Sequence, residues 1–148
     1  DPIEGPDQRY WFERALTAYR KYCGGTPAGY RAPVYNINQE VVDLLVEHGF
    51  RYESSMMADD IPYQVETAKG SFWEMPVHWG TDDWPPFAHY AEIGYMMPVK
   101  APSVGLGAFW GEFDAAYEAG GFFMLIVHPF LTGRLARSQV SPWRRVFG

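Results

Sequence analysis

Phe122-Phe123-Met124-Leu125-Ile126-Val127 is an unbroken apolar run without alternation, set between Gly120-Gly121 and His128-Pro129. A short apolar stretch between turn signals fits a strand covered on both faces, and such strands belong to parallel sheets. Parallel strands need crossovers, usually helical, so the run predicts an α/β chain. The preceding segments read the same way. Asp7 caps a helix in which Phe12, Leu16, Tyr19 and Cys23 form one apolar stripe, closed by Gly24-Gly25. On that stripe Cys23 is expected as a small buried residue. A short extended piece, Tyr30 to Pro33, follows. Asn38 caps a second helix carrying Val41, Val42, Leu44 and Leu45, with Gly49 past its end.

Phe50 to Ser54 reads as a short strand, residues 55–70 as a loop, and Phe72 to Val77 as a weaker strand interrupted by Pro76. His78 to Pro102 is rich in proline, aromatic and acidic residues and has little periodicity, as expected of a long ordered loop with a function. A third helix fits Phe109, Phe113, Ala116 and Tyr117. Ser141-Pro142 opens a last one toward Phe147. The order is α/β, with parallel strands and right-handed crossovers. A closed parallel barrel needs more strands than this, so residues 1–148 are expected as one domain that is part of a larger barrel or sheet.

Composition removes several classes of function. The formal charge of −6 argues against a nucleic-acid partner. No apolar run approaches the roughly 20 residues of a membrane span. The single cysteine excludes an internal disulfide framework and a cysteine-based zinc site. Aromatic residues make up 18% of the chain; that count fits a core of large side chains and also a platform for a flat or sugar-like ligand.

In a parallel sheet, functional side chains stand just beyond the C-terminal ends of strands. Arg31, Asp82-Asp83-Trp84 and His128 all have that placement. An imidazole at a strand mouth can act as acid or base; a histidine satisfied by a backbone carbonyl is the plain alternative. Arg31 suits bidentate binding of a carboxylate, or a surface ion pair. Asp82 or Asp83 would orient His128, unless the pair is a solvated acidic loop. His48 stands at a helix C-terminus and reads as structural. His78 and His89 lack the spacing of a zinc motif. Gly105-Leu106-Gly107 does not follow a strand, as a phosphate loop must, and reads as a lead-in to the third helix.

Three segments together resemble the polysaccharide deacetylase (NodB-homology) family of metal-dependent amide hydrolases. Gly29-Tyr30-Arg31-Ala32-Pro33, with Gly49-Phe50-Arg51-Tyr52-Glu53-Ser54-Ser55 after a helix, is similar to the third family motif. Pro76-Val77-His78-Trp79 through Asp82-Asp83-Trp84-Pro85 is similar to the fourth, and Leu125-Ile126-Val127-His128-Pro129 with Gly133-Arg134 to the fifth. Ser54-Ser55, Asp59-Asp60 and Pro62-Tyr63 resemble the peptidoglycan-deacetylase and allantoinase-like branch. The first two family motifs, which supply an aspartate base, a metal-binding aspartate and two histidine ligands, have no counterpart before Arg31.

The resemblance implies the C-terminal portion of a distorted (β/α) barrel, lacking its N-terminal metal-binding strands and inactive by itself. It implies a divalent metal, zinc in the ordinary case, bound by residues outside this chain, so none of residues 1–148 is assigned as a ligand. Arg31 would steer the catalytic carboxylate, and His128 would protonate the leaving nitrogen while Asp82 or Asp83 holds it. A backbone N–H near Val34 would stabilise the oxyanion, Trp84 and Ile126 would wall the acyl pocket, and Val34 and Tyr35 would touch substrate. The expected reaction is hydrolysis of a non-peptide C–N bond, deacetylation of an N-acetylated saccharide first. Opening of a cyclic amide and glycan binding without catalysis are the alternatives. Expected partners are the saccharide or other small-molecule substrate, the N-terminal half of the same protein and, as an option, further copies of the chain.

Overall fold

The computed structural model describes residues 6–140. The chain divides into two compact units, residues 1–76 and 77–148.

In the first unit, helix α1 (Pro6–Cys23) carries Asp7 in its first turn and Arg20 and Lys21 in its last, complementing the helix dipole. Its stripe packs Leu16 and Phe12 against Val41, Leu45 and Phe50. Tyr19 and Cys23, expected on the same buried stripe, are exposed. Helix α2 (Gln39–Glu47) has nine residues against eighteen in α1, too few to cover its whole length. The Asn38 side chain accepts a hydrogen bond from the Val41 N–H at 3.0 Å and fixes the start of α2.

Four strands, β1 (Gly29–Tyr30), β2 (Tyr52–Glu53), β3 (Tyr63–Thr67) and β4 (Gly70–Glu74), form one sheet in the order β1-β2-β4-β3. The β1–β2 and β2–β4 pairs are parallel. β3 is the departure from expectation: it lies within 55–70, read above as loop, and pairs antiparallel with β4 over five register positions. Tyr63-Gln64-Val65-Glu66-Thr67 alternates half-buried and exposed side chains, the period-two pattern of an edge strand. Its two outward polar residues and the turn residues before it disguise it as loop. Pro76 lies past the end of β4 and removes no ladder bond.

Among the described residues, the second unit consists of one long and three short helices on a small core. Helix α3 (Trp84–Phe87), α4 (Pro102–Glu118), α5 (Pro129–Thr132) and α6 (Leu135–Val140) are joined by irregular chain and single helical turns. Phe87, Ala88, Leu106, Phe109 and Leu131 are its buried centre. Gly105-Leu106-Gly107 is inside α4 rather than leading into it. A Cβ at Gly105 would come within 2.5 Å of the Phe87 ring, so glycine there permits the closest approach of α3 to α4.

The apolar run 122–127 does not form a regular strand. Only Ile126 is paired, in one parallel bridge with Asp82. Ile126 N–H donates to the Thr81 carbonyl at 2.9 Å, and Asp83 N–H donates to the Ile126 carbonyl at 3.1 Å. On either side of that bridge residues 79–81 and 84–87 turn helical, leaving the run no extended neighbour to ladder with. The segment expected to start a helix at Ser141 lies outside the described residues. The architecture is mixed α/β with a parallel-dominated sheet.

Candidate active site

The Asp82–Ile126 bridge places two consecutive carboxylates beside the chain that leads into α5. Asp83 is fully buried and Asp82 is 2% exposed. The two do different things. Asp82 Oδ1 accepts the Trp84 N–H at 2.7 Å, a local turn that starts α3. It stands 4.0 Å from His128 Nδ1. Asp83 Oδ1 is 2.6 Å from His128 Nδ1, and its carboxylate also accepts the His128 backbone N–H, at 2.9 Å to Oδ2. The Thr132 hydroxyl donates a short bond to the same Oδ2. The backbone N–H and the hydroxyl are donors, and an ionised carboxylate is acceptor-only, so the ring pairs with it in the tautomer that donates from Nδ1. Nδ1 therefore carries a hydrogen, and Nε2 is the nitrogen left for chemistry.

His128 stands immediately before α5, where its carbonyl accepts from the Leu131 and Thr132 N–H groups. Pro129 at the first helical position fixes that turn. Thr132, one helical turn on from His128, thereby reaches Asp83, a partner with no motif to announce it. The imidazole is partly exposed and belongs to an aromatic triad: the Trp84 ring is at 5.3 Å and the Phe130 ring at 5.7 Å, both edge to face, and those two rings are 6.2 Å apart. Phe130 is exposed and Ile126 is buried.

In the first unit, Arg31 directly follows β1, and Ser54-Ser55 directly follow β2. Arg31 donates from Nε to the Ser54 carbonyl at 2.8 Å and from Nη2 to the Ser54 hydroxyl at 2.6 Å. Neither bond uses Nη1, and the side chain is exposed. The next residue is tied to the same place: Ala32 N–H donates to the Ser55 hydroxyl at 2.8 Å. Val34 and Tyr35 have φ of 56° and 57°. The left-handed region is costly for a β-branched residue, on the order of 1–2 kcal/mol, and such strain concentrates where a backbone N–H or side chain must be aimed.

Asp82, Asp83 and His128 each offer one ligating atom, and these atoms lie within 4.8 Å of one another, close enough to share an ion. Their present hydrogen bonds compete with that use. Asp83 is satisfied by three donor groups, and His128 Nδ1 is taken by Asp83. As it stands, the donor set forms an imidazole–carboxylate pair.

No family model matches the chain. It is 26% identical over 150 residues to a peptidoglycan deacetylase of Helicobacter pylori, across 82% of this chain and 50% of that protein. A solved structure described as a polysaccharide deacetylase from Mycobacterium smegmatis matches with a TM-score of 0.82 and 33% identity, over 90% of this chain and 46% of that one. These relatives support a NodB-like polysaccharide deacetylase family for the chain. An allantoinase structure shares the fold, with a TM-score of 0.77 at 19% identity over 93% of this chain and 45% of that one. The chain spans about half the length of the relatives it matches. Among the described residues no helix is long and apolar enough to cross a membrane.

Proposed function

We propose that this chain carries the proton-donating machinery of a metal-dependent hydrolase of non-peptide C–N bonds, whose substrate is an N-acetylated saccharide. The observation that carries the reading is the His128–Asp83 pair: a buried carboxylate holds Nδ1–H and leaves Nε2 available at a partly exposed, aromatic-flanked position. Hydrolysis of an alkyl amide stalls unless the departing nitrogen is protonated, and a positioned imidazole does this well near neutral pH. His128 gives that proton from Nε2, and Asp83 keeps the ring in register as positive charge comes and goes. Trp84 and Ile126 wall the small acyl group. In the first unit, Arg31 fixes a carboxylate base supplied from outside residues 1–148, the Val34 N–H meets developing negative charge on the carbonyl oxygen, and Tyr35 touches substrate. A divalent ion of the zinc class, bound by residues outside this chain, contributes Lewis acidity when present.

The test is product analysis with the complete polypeptide. Acetate and a new primary amine are expected in equal amounts from an N-acetylated oligosaccharide. Ring opening of a cyclic amide without acetate release would reassign the substrate class; saccharide binding with neither product would make the chain a glycan-binding relative. Metal analysis checks the ion's location. One divalent ion per polypeptide is expected, unchanged in His128→Ala and Asp82→Asn. Loss of the ion in those variants would move the ligands to the Asp82–Asp83–His128 group.

A further inference from the structure

Glu53 and Glu74 are both fully buried, 0% exposed. They are register partners on the parallel strands β2 and β4, so their side chains are neighbours on one face. Two carboxylates at that separation in a low-dielectric interior cannot both be charged; one must hold a proton. The hydrogen bonds identify which. Glu53 Oε2 accepts the Ser55 N–H at 2.7 Å, and Oε1 accepts a short bond from the Ser55 hydroxyl. Glu74 Oε1 accepts the Met56 N–H at 3.0 Å, whereas Oε2 has no partner among the described residues. A bare carboxylate oxygen buried without a donor is expensive, but a hydroxyl there becomes a donor toward its neighbour. Burial, first, and the neighbouring Glu53 carboxylate push the Glu74 carboxyl up to about 8.

The charged and titratable groups around the pair include Arg31, held on Ser54, and Tyr30, the register partner of Glu53 on β1, whose hydroxyl is pushed up by burial and by Glu53. Tyr63 lies opposite Glu74 on β3, and its hydroxyl is pushed up chiefly by burial. On α2, Asp43 is engaged by Lys69 and Glu47 by Arg9.

We propose that Glu53 and Glu74 share one proton, carried by Glu74, and that this pair is a clamp on residues 54–56 that positions Arg31. The clamp is continuous. Ser55 donates to Glu53 and accepts from Ala32, Met56 donates to Glu74, and Ser54 binds the guanidinium through its carbonyl and hydroxyl while donating to the Met75 carbonyl at 2.7 Å. Because Glu74 is raised above its ordinary 4.5, the stabilisation from its neutral form is whole below that value and is lost as pH rises through about 8. Only the assignment of Arg31 to catalysis rests on the deacetylase reading.

The experiment compares wild type with Glu74→Gln in the complete polypeptide, using infrared difference spectra and the Arg31 Nε–H resonance assigned with Arg31→Lys. Glutamine mimics the protonated acid and cannot ionise. At about pH 6 the difference spectrum is expected to show one protonated-carboxyl carbonyl band, which fades as pH passes about 8. Over the same range the Arg31 resonance should broaden in wild type and stay sharp in Glu74→Gln. Absence of the band at about pH 6, or equal broadening in both proteins, overturns the proposal. Glu53→Gln, which sets an amide donor against the donors of Ser55, should lower the unfolding midpoint more than Glu74→Gln; the reverse order also overturns it. Neither spectroscopic readout needs turnover, so failure here and failure of the hydrolase reading are separable.

Discussion

Replacing His128 by alanine in the complete polypeptide is expected to lower kcat by about 10²–10⁴-fold while KM changes by less than about threefold. The expectation follows from where the ring is held. Its Nδ1 is committed to a buried carboxylate and its backbone to the start of α5, so the position is rigid while Nε2 remains free of both tasks. Removing the ring takes away a proton donor needed only in the transition state, which is the pattern of kcat loss without KM loss. Stability should change little, because the imidazole is partly exposed, about 34% by side chain. A rise in KM with kcat unchanged would instead make His128 a binding residue. Initial-rate kinetics on an N-acetylated oligosaccharide separates the two.

The second large effect is expected at Asp83. Asp83→Asn keeps the shape but replaces one acceptor oxygen with a donor. Both oxygens of Asp83 already receive donors: His128 Nδ1 and N–H, and the Thr132 hydroxyl. One donor must then face another inside a fully buried site, at a cost on the order of 1–3 kcal/mol, and the histidine tautomer is no longer fixed. Turnover should fall on the order of 10²–10⁴-fold, with an unfolding midpoint lowered by several degrees. Asp82→Asn can keep an oxygen toward the Trp84 N–H and should lose far less of both. Comparable losses at the two positions would remove the special role given to Asp83. Thermal unfolding and kinetics on the same two variants check this.

Much of the fold was legible because helices announce themselves at their ends. The Asn38 cap and the apolar face of α2 are both local signals, and both are realised. Strands were harder because pairing is a property of two segments. Phe122 to Val127 has the composition of a buried strand but only one partner position, Asp82, and so stays irregular. Tyr63 to Thr67 has a weaker composition but a full partner in β4, and so it is a strand. The same limit hid parts of the site. Arg31, Asp82, Asp83 and His128 were visible as chemistry-bearing residues beside predicted strands. Which aspartate meets the imidazole depends on how the chain turns after Thr81, and two adjacent carboxylates look alike in sequence. Thr132 could have been suggested by Pro129, which starts a helix and puts residue 132 one turn from residue 128. Glu53 and Glu74 gave no signal, because acidic residues in short strands read as exposed; only the β2–β4 register buries them side by side.

The sharpest measurement varies the leaving group. If His128 protonates the departing nitrogen, its removal should matter only when that atom is too basic to leave unprotonated. The ratio of wild-type to His128→Ala turnover should be large for an N-acetyl amino sugar and should collapse to within about tenfold for an acetyl ester or an acetanilide with a strongly electron-withdrawing ring. The same ratio for all of these substrates would contradict proton donation by His128 and return the histidine to a structural or binding role.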